Sequence, residues 1–255
     1  SAARKRDWQY WRRYRDFLES RMSDIVVDGL DEATDDILCL LEDPKRSDDW
    51  DRRGLVVGHV QSGKTSNYSG LICKAADAGY KIIIVLAGMH NNLRSQTQMR
   101  LEESFLGYET TIDRDPGMPI GVAEFGEDLK TNSATTRAEN GDFNKAIAKH
   151  FHGISPEERP WLFVVKKQKS VLTALLHWIQ TRVADSTDAG DGRKLVTKLP
   201  LLMIDDEADN ASVDTGEQMF NDDGTPDKEH QPKTINSLIR QVLHAFTRKA
   251  YVGYT

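Results

Sequence analysis

Residues Gly58-His59-Val60-Gln61-Ser62-Gly63-Lys64-Thr65 satisfy the pattern G-x-x-x-x-G-K-[ST] in full. Few short motifs restrict a fold as tightly, because this one needs a loop between a buried strand and a helix. Residues 55–60 supply the apolar run before it, and residues 65–78 the helical periodicity after it. Glycines permit the tight turn, so that successive N–H groups and a helix N-terminus converge on one anion. The phosphates of ATP are the expected ligand, held on Gly58, Gln61, Ser62, Gly63, Lys64, Thr65 and Ser66. Lys64 would reach the β- and γ-phosphates, and the Thr65 hydroxyl would hold Mg²⁺. The plain alternative is a glycine turn that ends in Lys-Thr by coincidence.

The pattern around the loop gives the fold class. Short apolar runs at 55–60, 81–87, 161–165, 199–205 and 251–254 predict strands, and amphipathic stretches at 65–78, 92–105, 170–183 and 235–248 predict helices. This alternation predicts an α/β fold, a mostly parallel sheet with helices on both faces. Residues 1–50 read as a helical appendage, with helices over 4–23 and 31–42 and an edge within the charged, Pro44-containing stretch 43–53. Residues 51–255 form the main domain. On the first helix Trp8, Trp11, Leu18 and Met22 share one face and arginines take the rest, which suits either packing on the main domain or an arm on phosphates. Residues 107–160 are polar and turn-rich around a strand at 120–125, and residues 210–233 read as a long loop.

A second motif follows a buried strand. Leu201-Leu202-Met203-Ile204 runs into Asp205-Asp206-Glu207-Ala208-Asp209. A phosphate-loop enzyme needs one carboxylate at a strand end for Mg²⁺ and a neighbour to activate water. Asp206 and Glu207 fill these roles, with Asp205 as a substitute at the metal and Asp209 coupling to neighbouring motifs. Lys64, Asp206 and Glu207 are thus the expected catalytic residues, and Thr65 and Asp206 the metal ligands. Solvated carboxylates at a strand end are the alternative reading.

Composition narrows the rest. With 38% hydrophobic and 29% charged residues the chain is an ordinary globular one. It holds no apolar run near the roughly 18 residues of a membrane span, and residues 1–14 do not resemble a signal peptide. Cys39 and Cys73 lie far apart and read as buried small residues, which suggests a reducing, cytoplasmic setting. A net charge of −6 excludes a protein that coats nucleic acid over its whole surface, although residues 1–21 are locally basic. No histidine pairing, His150 and His152 included, has zinc-ligand spacing, and neither a nucleophile–histidine triad nor a nuclease centre is evident.

Asp206-Glu207-Ala208-Asp209 spells the box of the DEAD-type superfamily two helicases. Three stretches together resemble the bacterial Z-one domain proteins: Gly58 through Tyr68, Ala87-Gly88-Met89-His90-Asn91-Asn92-Leu93-Arg94-Ser95-Gln96-Thr97, and Ile204 through Asn210. The resemblance covers roughly residues 50–105, 161–178 and 200–255. It implies a RecA-like ATPase lobe, helicase-like and associated with an endonuclease. DNA would be the partner through the full-length protein, in a phage-defence or restriction-like system with its own partner proteins. It also implies that Asn92, Arg94 and Gln96 contact a nucleic-acid backbone, as do Lys166 and Lys167. A helix cap at Asn92 or Ser95 and solvated charges elsewhere are equally good readings. Trp50, Arg52 and Arg53 precede the first strand, where such proteins read adenine, although packing suits Trp50 better. In that family the strand at 251–254 continues beyond Thr255, so the chain is expected to be part of a longer protein with a second lobe. Slow hydrolysis by this part alone follows. The rival functions are a nucleotide-gated regulatory switch and a scaffold without translocation.

Overall fold

The computed structural model describes residues 7–58, 63–110, 119–127, 129, 131–150, 154–155, 158–209, 212 and 234–255. Helices α1 (Gln9–Glu19) and α2 (Asp24–Leu40) come first, then strand β1 (Trp50–Val56), helix α3 (Lys64–Ala78), strand β2 (Ile82–Ala87) and helix α4 (Asn91–Leu101). A π-helical turn (Glu102–Leu106) prolongs α4, and a 3₁₀ turn (Gly121–Phe125), β3 (Asn132–Ser133) and α5 (Lys145–His150) lead to β4 (Trp161–Val165). Helix α6 (Lys169–Trp178) ends in a second π-helical turn (Ile179–Val183) before the small hairpin β5 (Ser186–Thr187) and β6 (Lys194–Leu195). Strand β7 (Leu201–Asp206), helix α7 (Thr234–His244) and strand β8 (Arg248–Tyr254) complete the described elements.

Six strands pair in the order β1-β8-β7-β2-β4-β3, every pairing parallel. Parallel strands need crossovers, and the crossover helices cover both faces, so central strands can be apolar throughout. All six residues of β2 are buried. Successive side chains point to opposite faces. Ile83, Val85 and Ala87 therefore join one core with Leu202, Ile204 and Val252 under α1 and α3. Ile82, Ile84 and Leu86 join the other with Leu172, Leu175, Leu238 and Val242 of α6 and α7. The expected α/β sheet with helices on both faces is present.

Several boundaries differ from the sequence reading. Strand β1 starts at Trp50, not at 55, and includes Asp51, Arg52 and Arg53. Its backbone pairs residue by residue with β8, while as an outer strand it leaves those side chains in solvent. Trp50 is buried edge-on against Tyr80, so it packs and does not face a ligand. Strand β8 likewise begins at Arg248, inside the stretch expected to be helical. Residues 121–125 form a 3₁₀ turn where a strand was expected, because Gly121 adopts φ +56° and a side chain there would collide with the Glu103 carbonyl. Helix α2 covers Asp24–Leu40, longer toward its start than predicted. Cys73 is buried as expected, whereas Cys39 is exposed.

The first two helices share a core with the sheet through Tyr10, Trp11, Tyr14, Phe17 and Val27. Two charged groups of α3 attach them. The N-cap residue of α1, Trp8, supplies no capping side chain. The Asp77 carboxylate of α3 does so instead, accepting from the backbone N–H groups of Gln9, Tyr10 and Trp11 at 2.9, 3.1 and 2.8 Å. Lys74 is completely buried, bonded to Asp31 and Asp35 of α2 at 2.5 and 2.6 Å and lying 4.3 Å from the centre of the Trp11 ring. Removing a cap costs about 1 kcal/mol. Breaking a buried pair costs roughly 3–5 kcal/mol, and the low end applies here because both aspartates keep some solvent. Urea unfolding of Asp77→Ala and Lys74→Ala should show losses of about 1 and about 3 kcal/mol respectively. Equal stability of Lys74→Ala and the unmodified chain would contradict this account of how α2 is held.

Candidate functional site

Parallel pairing brings the carboxyl ends of all six strands to one edge of the sheet, where open α/β sheets bind ligands. Each sequence motif ends there: the glycine loop after β1, Gly88–Asn92 after β2, Lys166 and Lys167 after β4, and the acidic turn after β7. Strand β8 alone separates β1 from β7.

Gly63 occupies the N-cap of α3 at φ +77°, a conformation that glycine adopts at little cost, and its carbonyl accepts from Asn67 N–H. His59, Val60, Gln61 and Ser62 lie outside the described residues. Gly58 N–H donates to the Thr255 carbonyl at 2.9 Å, fixing the entrance to the loop. Lys64, Thr65 and Ser66 are half-exposed in the first turn of α3. The Thr65 hydroxyl accepts from Arg100 Nη1 at 3.1 Å.

One turn further along α3, Tyr68 is fully buried and its hydroxyl donates to Asp206 Oδ2 at 3.3 Å. Its ring lies edge-on to Tyr254, whose hydroxyl donates in turn to Asn67 Oδ1 at 2.9 Å. This aromatic pair ties the start of α3 to the end of β7. Burial pushes the Asp206 carboxyl above the ordinary carboxylate range, and the charge of Glu207 adds to this, while the Tyr68 hydrogen bond and Lys167 oppose it. A desolvated carboxylate beside a second carboxylate and a threonine hydroxyl is a hard-oxygen set. Mg²⁺ takes such a set, keeping most of its ligands as water and phosphate. Among the described residues no cluster of three or more His, Cys, Asp or Glu could hold a metal by protein ligands alone.

Glu207 is exposed and sits at φ +56°, the one non-glycine residue with positive φ among those described. The turn is held on its far side, where Ala208 N–H donates to the Tyr254 carbonyl at 2.8 Å. A β-carbon on Gly253 would come within 2.9 Å of the Ala208 β-carbon, so small residues are needed at both positions.

Three expectations need correction. Asp205 is not open to a metal: it is fully buried, paired with Lys167 Nζ at 2.6 Å and bonded by the Tyr251 hydroxyl at 2.6 Å. Lys167 is correspondingly withdrawn from any nucleic-acid surface, and its Nζ also donates to the Glu207 carbonyl at 2.6 Å. Arg94 is fully buried too, donating to the Ala138 carbonyl, and burial lowers its pKa. Asn92 and Gln96 are exposed, and Lys166 is half-buried with Nζ on Asn91 Oδ1. Ser95 bonds the Arg137 carbonyl, and no side chain caps α4. Met89, His90, Asn91, Asn92, Lys166, Lys167 and Gln168 line an open groove of about 510 Å³, although the Lys167 side chain itself is fully buried. The residue reading missed Tyr254, Tyr251, Gly253 and Arg100; Tyr68 appeared only as the last residue of a motif string.

Compared with protein-family models, with curated proteins and with solved structures, the chain matches none of them. Fold and site together define an α/β protein whose six-stranded parallel sheet gathers a glycine-capped helix start and an acidic turn at one edge. Among the described residues, no helix is long and apolar enough to cross a membrane.

The left-handed conformation costs a side-chain-bearing residue roughly 1–2 kcal/mol, and glycine avoids this at an entropic cost of about 0.5–1 kcal/mol. Glu207→Gly should therefore stabilise the chain by about 0.5–1 kcal/mol in urea unfolding. A loss of stability would mean that the Glu207 side chain contributes contacts not apparent here.

Proposed function

We propose that this chain binds ATP with Mg²⁺ and hydrolyses it, as a RecA-like, superfamily two helicase-like ATPase lobe whose cycle is coupled to DNA translocation or remodelling. The observation that carries this reading is the hydrogen bond from Tyr68 on α3 to Asp206 on β7. It ties the first turns of α3, which begin at Lys64 and Thr65, to the acidic turn across 138 residues of sequence. Lys64 balances charge on the β- and γ-phosphates while Glu207 orients water in line with the γ-phosphate and draws its proton. Thr65 and Asp206 would hold Mg²⁺, which when bound neutralises phosphate charge. The exposed backbone donors at the start of α3 receive the phosphates.

In this reading residues 51–255 are the ATPase lobe and 1–50 its helical appendage, and the protein works in the cytoplasm. The DNA partner, the defence or restriction-like setting and an associated endonuclease rest on the resemblance of the three motifs. The burial of Arg94 and Lys167 favours a second reading, a nucleotide-gated switch, because only Asn92, Gln96 and Lys166 of the five expected contacts keep any access to a polyanion.

Titration calorimetry of Mg-ATP into the chain and its Lys64→Ala variant separates these readings. Loss of one charge-assisted contact should weaken binding at least about tenfold in the variant. Binding to the unmodified chain that tightens in the presence of DNA supports the motor lobe. Lys64-dependent binding that ignores DNA favours the switch. Absence of any Mg-ATP binding to the unmodified chain would remove the ATPase reading altogether.

A further inference from the structure

The nucleotide chemistry above makes no use of Lys167, yet its ammonium group is completely buried, an arrangement that burial alone disfavours. Such a group is retained for what it holds in place. Its Nζ has two named partners, the Asp205 carboxylate and the Glu207 carbonyl oxygen, each at 2.6 Å. Its own backbone N–H donates to the Gly88 carbonyl at 2.9 Å, so the residue is anchored at the end of β2 while its side chain crosses to β7. Asp205 is aimed in turn by the Tyr251 hydroxyl of β8. The object of this chain of contacts is the residue with the strained backbone, Glu207 at φ +56°.

Two forces keep that turn from relaxing. On one side Ala208 N–H is bonded to Tyr254, and Ala208 is pressed against Gly253. On the other side Lys167 holds the Glu207 carbonyl. Resting on the hydrolase reading, we infer that Lys167 is a positioning residue for Glu207: paired with Asp205, it fixes the left-handed turn that aims the water-orienting carboxylate. Its side chain is fully buried, so it acts on the reaction through Glu207. Its loss would misplace Glu207 without disturbing Lys64 or Thr65, and so would slow turnover while leaving nucleotide affinity in place.

Removing Lys167 alone would strand the buried Asp205 charge and unfold the site. The informative variant is therefore the double neutral one, Lys167→Met with Asp205→Asn, which leaves no lone charge and keeps an acceptor for Tyr251. Single-turnover phosphate release with the chain in excess should fall on the order of tenfold to a hundredfold, as expected for a small misplacement of a reacting group. Calorimetric affinity for Mg-ATP should stay within about threefold, well below the tenfold that one lost contact produces. In a Glu207→Gln background the same double change should cause no further loss, because Lys167 acts only through the group already removed. A second readout needs no nucleotide: hydrogen exchange at the amides of Glu207 and Ala208 should quicken about tenfold, with those of Leu202 and Ile204 unchanged. Unchanged exchange in a folded double variant overturns the inference. So does an undiminished rate, or losses that multiply in the Glu207→Gln background. If the unmodified chain neither binds nor hydrolyses Mg-ATP, the hydrolase reading and the catalytic part of this inference fail together. The exchange result then decides whether Lys167 holds the turn.

Discussion

Everything at the candidate site depends on the sheet being parallel. In an antiparallel sheet, strand ends alternate between edges, and the glycine loop and the acidic turn could lie at opposite ends of the molecule. Here the six strands run one way, and each must be returned by a crossover. Amino ends therefore stay at one edge and carboxyl ends at the other, where motifs distant in sequence meet. The crossover helices also close both faces, which is why β2 can be buried along its length and form the rigid middle of the sheet.

Buried charge secures the places that apolar packing leaves unspecified. A hydrophobic face gives adhesion with little direction, whereas a paired charge has one geometry. Lys74 and Asp77 act this way where α1 and α2 meet α3, and Lys167 with Asp205 where the residues after β4 reach past the end of β2 to β7. The two groups lie at different parts of the molecule, one under the N-terminal helices and one behind the acidic turn. Aromatic hydroxyls extend the second group: Tyr68 and Tyr251 each donate to one member of the consecutive pair Asp206 and Asp205.

The sequence made the central strands and main helices legible because burial on both faces leaves an uninterrupted apolar run. It was less informative at β1, where Asp51, Arg52 and Arg53 face solvent on an outer strand and only backbone pairing marks them as β. The 3₁₀ turn at Gly121–Phe125 resembled a strand because its apolar residues are close together, and what overrides that is the approach of Glu103 to Gly121. Charge was the most misleading signal. Arg94 and Lys167 read as surface cations because residue type carries no record of depth. A clue existed for Lys167: of two lysines that directly follow a strand whose last four residues are buried, side-chain alternation turns one inward. The glycine loop and the acidic turn were the easiest to read, since each needs particular residue types at fixed spacing. The tyrosines behind them were not, because their roles depend on contacts up to 138 residues apart.

The position of β8 has a consequence for the order in which the molecule can be assembled. Strand β1 is made early and β7 some 150 residues later, yet they do not touch; the strand that joins them, β8, is synthesised after both. Until residues 248–254 are available, β1 has no partner in the sheet, and the loop it carries has no fixed relation to the acidic turn. Strands β2, β4 and β7 can pair beforehand, so the growing chain holds a partial sheet with the open edge of β7 exposed. Non-local pairing of this kind is slow and leaves unpaired edges waiting. The glycine loop and the acidic turn therefore come together only once β8 is inserted between β1 and β7.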